Sequence, residues 1–114
     1  MKKSIFLLVA TLFVAGISYG QSQKASETVK IKTPTVQCES CKKRIEKDLL
    51  RIDGIEKVNV DFKKKTTKVT YLTDRTNVEN IRTAIANIGY DADDVTANGE
   101  SYSKLPKCCQ KPGQ

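Results

Sequence analysis

Two cysteines stand three positions apart in Val36-Gln37-Cys38-Glu39-Ser40-Cys41-Lys42-Lys43-Arg44. Thiols at this spacing do chemistry once ionised. Thiolate is the form that binds soft metal ions and also the form that attacks disulfides. Upstream, Val29 and Ile31 alternate with Lys30 and Lys32, which reads as a strand; downstream, Cys41, Ile45, Leu49 and Ile52 recur at helical spacing. Cys38 is thus placed in the connecting loop and Cys41 in the first turn of a helix. Free N–H groups and partial positive charge at a helix N-terminus favour thiolate over thiol. Lys42, Lys43 and Arg44 push the same way. The pair is therefore metal-binding or redox-active, and placement leaves both open.

Composition narrows the choice. The 114 residues include four cysteines and no histidine. No Ser/His/Asp set is possible, no phosphate-cradling glycine loop is present, and no enzyme activity is expected. Two thiolates select Cu(I), and can also hold Zn(II), Cd(II) or Hg(II). A closed zinc site needs four ligands, which only the second pair, Cys108-Cys109, could complete. The rival is a thiol–disulfide oxidoreductase, since Cys-x-x-Cys opening a helix is also a redox arrangement. Against it, no Trp lies beside the pair. Pro34, Pro106 and Pro112 also do not supply a proline-containing strand to face it. A stapling role is the weakest reading, because neither close pair closes a long loop.

The elements that must position these thiols follow from periodicity. Strand one is expected over about residues 28–35 and helix one over about 40–51, ended by Asp53-Gly54. Strand two covers about 55–62, and strand three about 67–72 after a polar hairpin turn. Thr76-Asn77-Val78-Glu79 fits a capping box for helix two, whose stripe is Val78, Ile81, Ile85 and Ile88, with Gly89 as its stop. A short fourth strand is expected over about 92–96. The order strand, helix, strand, strand, helix, strand is α+β and ferredoxin-like (βαββαβ), with two helices on one face of a four-stranded antiparallel sheet. The expected core is Val29, Ile31, Ile45, Leu49, Ile52, Val58, Val60, Val69, Tyr71, Ile81, Ile85 and Ile88.

Residues 1–20 read as a secretory signal peptide: Lys2 and Lys3, an uncharged apolar run from Ile5 to Ile17, then Ser18-Tyr19-Gly20 before a cut at Gln21. The run is too short for a spanning helix, which needs roughly 20 apolar residues. This layout predicts export to a periplasmic or extracellular compartment, with no stable membrane insertion after cleavage. Without its two lysines the chain carries 18 basic and 13 acidic residues, a net charge of +5. Only Lys63-Lys64-Lys65 forms a basic run, which suits a solvated hairpin end better than a nucleic-acid contact. Residues 21–27 read as a flexible leader, 28–97 as one small domain and 98–114 as a cysteine-containing tail.

At this point the chain resembles the heavy-metal-associated domain family, which includes small copper chaperones, modules of copper-transporting ATPases and periplasmic mercury-binding proteins. The likeness spans about residues 28–97. It rests on Cys38-x-x-Cys41 between strand one and helix one, Asp53-Gly54-Ile55 before strand two and Gly89-Tyr90-Asp91-Ala92 after helix two. Thr35-Val36 stand where the family usually has Gly-Met, so an apolar plug beneath the loop is kept with less volume. The resemblance implies Cys38 and Cys41 as ligands and points to copper. It implies a metal-donor or metal-acceptor partner, such as a metal-transporting ATPase or efflux component, and a monomer when metal-free. It also gives Tyr90 two readings, a residue that tunes the site or one that caps the core edge.

The tail lies outside the resemblance. Adjacent cysteines are poorly placed to bond each other, since disulfide geometry wants Cα atoms ~5.5 Å apart and a trans peptide sets ~3.8 Å. Cys108 or Cys109 could supply a third or fourth sulfur to Cys38/Cys41, or pair with them on oxidation. The plainer reading, an unstructured tail with incidental thiols, is marginally favoured by sequence.

Overall fold

The structure is a computed structural model, and it describes residues 25–111. Three strands and two long helices follow in the order β1 (Ser26–Lys32), α1 (Glu39–Leu49), β2 (Ile55–Asp61), β3 (Thr66–Leu72) and α2 (Val78–Ile88). A short helix α3 (Gly99–Ser103) and a single 3-10 turn at Lys107–Cys109 complete it. β3 lies at the centre of an antiparallel sheet of order β1-β3-β2, with Val29 and Val58 both opposite Val69.

Side-chain alternation explains which face is covered. In β3, Thr67, Val69 and Tyr71 are buried while Lys68 is exposed, as a period of two requires. In β2 the same period would put Ile55 on the opposite face from Val58 and Val60. A bulge between Ile55 and Lys57 inserts one residue, reverses the phase and lets Ile55 join the core as well. Cys41, Ile45 and Leu49 form the buried stripe of α1, and Ile81, Ile85 and Ala86 that of α2. They meet Ile31, Val60, Val69 and Tyr71 in one core. Each large aliphatic buried there contributes about 1.5–3 kcal/mol. Of the expected core residues, Val29, Ile52, Val58 and Ile88 are only partly buried, packed on its margin.

The fourth strand is not formed among the described residues; this corrects the four-stranded expectation. Ala92 and Val95 make one isolated bridge with each other, because Asp93 adopts φ 53 and turns the chain. Asp93 takes the place of a strand at the β1 edge. Its N–H donates to the Lys32 carbonyl (2.8 Å), and its Oδ1 accepts from the Lys32 N–H (2.8 Å). Arg82 Nε holds the other carboxylate oxygen at 2.8 Å. A carboxylate thus satisfies edge groups that a ladder would otherwise bond.

The N-cap of α2 also differs from expectation. It is Asn77, whose side chain accepts from the Asn80 N–H at 2.8 Å. Thr76 is instead buried, and its N–H bonds the Leu72 carbonyl at the end of β3. β1 begins at Ser26, inside the segment expected as leader. The expected signal peptide, residues 1–20, lies outside the described residues. No helix among the described residues is long and apolar enough to cross a membrane.

Candidate metal centre

Cys38 is the N-cap of α1, in an extended conformation (φ −152, ψ 176), and Cys41 lies one turn in. The loop before them is fastened from three sides. The Val36 side chain is fully buried beneath it, and the Val36 carbonyl accepts from Lys65 Nζ at 2.6 Å. Lys65, at φ 59 in the β2–β3 hairpin, also accepts from the Thr33 N–H at 2.9 Å. Thr35 Oγ1 accepts from the Asp91 N–H at 3.1 Å, which ties the loop to the segment after α2. On its far side α1 is pinned to the β2 edge, since Lys42 Nζ donates to the Val60 carbonyl and Glu46 accepts from the Val60 N–H.

Cys38 Sγ and Cys41 Sγ are 3.4 Å apart; Cys41 is buried and Cys38 half-exposed. Partial burial pushes the Cys38 thiol up, but this is outweighed. The N–H groups of Cys41 and Ser40 and the thiols of Cys41 and Cys108 bring its pKa down to about 7. Those N–H groups point at the sulfur without completing a side-chain cap. At neutral pH Cys38 is therefore substantially thiolate.

Over residues 98–111 the tail folds back and arrives at the same place, contrary to the favoured sequence reading. Asn98 caps α3 through the Ser101 N–H (2.9 Å), and its own N–H donates to the Ala86 carbonyl. Leu105 is buried against Gly89. The Gln110 side chain donates to the Leu105 carbonyl (3.0 Å), and Gln37 Nε2 donates to the Gln110 carbonyl. The 3-10 turn then sets Cys109 Sγ 2.6 Å from Cys41 Sγ and Cys108 Sγ 3.6 Å from Cys38 Sγ. Cys109 is fully buried and Cys108 exposed. Burial, with the Cys41 sulfur beside it, pushes the Cys109 thiol up to about 12, although Tyr90 opposes this. None of the four cysteines is joined in a disulfide. The sulfurs of Cys38, Cys108 and Cys109 lie within 4.8 Å of one another.

Tyr90 sits beneath this cluster and is fully buried. Burial raises its phenol pKa, and the nearby sulfurs of Cys109 and Cys41 raise it further. The sulfurs of Cys109 and Cys41 lie close enough to act on the hydroxyl, although Oη makes no hydrogen bond of good geometry. A buried phenol beside sulfur is a donor that a thiolate can accept from. No motif or periodicity in the sequence marks Leu105, Gln110 and Gln37 as the residues that position the tail. A lone Leu-Pro in a polar segment was the available signal.

Comparison with known proteins agrees with this architecture. The family model described as "Heavy-metal-associated domain" matches residues 30–91. Over 66 residues the chain is 36% identical to a mercuric transport protein periplasmic component of Shewanella putrefaciens, covering 58% of this chain and 72% of that protein. A copper-exporting P-type ATPase of Staphylococcus aureus is 31% identical over 86 residues, covering 75% of this chain; the chain spans only 11% of that ATPase's length. Among solved structures, oxidized MerP from Ralstonia metallidurans superposes with a TM-score of 0.58 at 29% identity, covering 60% of this chain and 96% of that one. The CopZ metallochaperone gives 0.56 at 26% identity, covering 58% and 98%. A small α+β fold, a thiol pair at its loop-to-helix junction and a family model matching more than half of the chain agree: the protein belongs to the heavy-metal-associated domain family.

Proposed function

We propose that this protein binds a soft metal ion through Cys38 and Cys41 and carries or sequesters it, with Cu(I) as the foremost ion and Zn(II), Cd(II) and Hg(II) as others its sulfurs can hold. The observation that carries the reading is the pair of sulfurs 3.4 Å apart at a helix N-terminus, one of them with a pKa brought to about 7. Such a pair needs no further ligand for two-coordinate Cu(I). Cys38 is reachable from solvent, so an incoming thiolate can add before an old one leaves, and the ion need never be bare. Relatives named as a periplasmic mercuric transport component and a copper-exporting ATPase support a heavy-metal role. Residues 28–97 form the binding unit in this reading. The partner is a metal-donor or metal-acceptor protein such as a transporting ATPase or efflux component, and the compartment is periplasmic or extracellular.

The test is competition titration of the reduced protein with Cu(I), Zn(II) and Hg(II), on wild type and on Cys38→Ser and Cys41→Ser. Each substitution should weaken Cu(I) binding strongly and leave the circular-dichroism spectrum intact. Near-normal Cu(I) affinity in both would remove the assignment. The same preparation should show no sustained turnover of a disulfide substrate.

A further inference from the structure

We propose that the C-terminal segment closes the Cys38/Cys41 site. Cys108 and Cys109 then become ligands of the same ion, held in three- or four-sulfur rather than two-sulfur coordination. The inference rests on the Cys38/Cys41 reading and extends it beyond the family domain, whose match ends at residue 91.

The distances favour a shared ion. Cys38 Sγ is 3.6 Å from Cys108 Sγ and 3.4 Å from Cys41 Sγ, and Cys108 Sγ is 3.9 Å from Cys109 Sγ. An ion with sulfurs at about 2.3 Å, as in zinc–thiolate sites, sets sulfur–sulfur edges of about 3.8 Å when tetrahedral and about 4.0 Å when trigonal. Cys38, Cys108 and Cys109, all within 4.8 Å of one another, make the trigonal set. Cys41 is the fourth sulfur. It stands 2.6 Å from Cys109, inside those edges, so the two must part by roughly 1 Å for both to bind one ion.

The approach of the tail is built rather than incidental. Leu105 packs on Gly89, the Gln110 side chain holds the Leu105 carbonyl, and Gln37 reaches from the cysteine loop to the Gln110 carbonyl. Cys109 is fully buried, which a chance thiol on a loose end is not. The buried Tyr90 hydroxyl, which makes no hydrogen bond of good geometry, adjoins the Cys109 and Cys41 sulfurs. It has a donor to offer once sulfurs ionise around an ion.

No redox step is involved. Each thiol that becomes a ligand gives its proton to solvent as its sulfur–metal bond forms. The consequence is selectivity. Cu(I) is content with two thiolates, whereas Cd(II) and Zn(II) gain most from added sulfurs. An acceptor must also displace the tail before it can take the ion.

The experiment uses Cd(II) alone as the probe, with the reduced full chain, the exposed-site variant Cys108→Ser, the double variant Cys108→Ser/Cys109→Ser, and Cys38→Ser/Cys41→Ser. Affinity is read by competition and sulfur number by X-ray absorption. Wild type should show three or four sulfurs per Cd(II). Cys108→Ser, which disturbs no buried group, should lose one sulfur and weaken binding. The double tail variant should weaken it by about a hundredfold or more, since a tethered ligand acts at millimolar effective concentration. Equal affinity and equal sulfur number in wild type and both tail variants would overturn the inference and leave the Cys38/Cys41 reading standing. Undiminished binding in Cys38→Ser/Cys41→Ser would overturn both. A Cys41–Cys109 disulfide that survives excess thiol reductant would overturn the inference too, by removing two of its sulfurs.

Discussion

A β-carbon on Gly89 would come within 3.1 Å of the Leu105 side chain, so the residue that ends α2 is also the one on which the tail rests. Gly89 serves both purposes for one reason. At φ +123 it occupies backbone space that L side chains avoid, and the bare α-carbon leaves room for Leu105.

Gly89→Ala should therefore destabilise the protein by about 1–3 kcal/mol, from backbone strain before any displacement of Leu105. It should also free the tail, so that Cys109 reacts faster with an alkylating reagent. Urea unfolding and timed alkylation read the two effects. Unchanged stability with unchanged Cys109 protection would mean that Leu105 yields without cost.

Tyr90→Phe separates the two roles of Tyr90. Its hydroxyl is buried without a hydrogen bond of good geometry in the metal-free protein, so removing it should leave thermal stability unchanged or slightly raised. Metal affinity should fall by about 5- to 150-fold, because a hydrogen bond to charged sulfur is worth about 1–3 kcal/mol. A metal-free variant that melts well below wild type would reveal a packing role instead.

The Asp93 carboxylate gives a pH dependence. Partial burial raises its pKa, but the Lys32 N–H and the Arg82 guanidinium outweigh burial and hold it below the usual carboxylate range. The folded pKa is thus lower than the unfolded one, near 3.9. Its contribution to stability is present at neutral pH and is lost as pH falls below about 4, through the folded value. In urea titrations, Asp93→Asn should be less stable than wild type at pH 7 and at pH 5, and the gap should narrow by pH 3. A gap independent of pH would show that the charge of Asp93 adds nothing beyond its hydrogen bonds.

Much of this molecule is local and so was legible in one dimension. Period-two runs around Val69 and Tyr71 and the 3.6-residue stripes of Ile45-Leu49 and Ile81-Ile85 report burial directly. Cys38 at a helix N-terminus follows from the same switch of period. Capping was less legible: Thr76 and Asn77 both suit an N-cap, and the contact of Thr76 with Leu72 decided between them.

What only the tertiary structure decided concerns residues whose partners lie far along the chain. Val95 has a strand-like side chain, but Asp93 finds Lys32 and Arg82, 61 and 11 positions away, and turns the chain out of the sheet. The tail is polar by composition, and composition cannot register that one leucine has a glycine to rest on. Cys109 is 68 positions from Cys41 and Cys108 is 70 from Cys38. The spacing of each cysteine pair is written in the sequence. The meeting of the two pairs depends on where Gly89, Leu105 and Gln110 lead the chain, and that is set by packing in three dimensions.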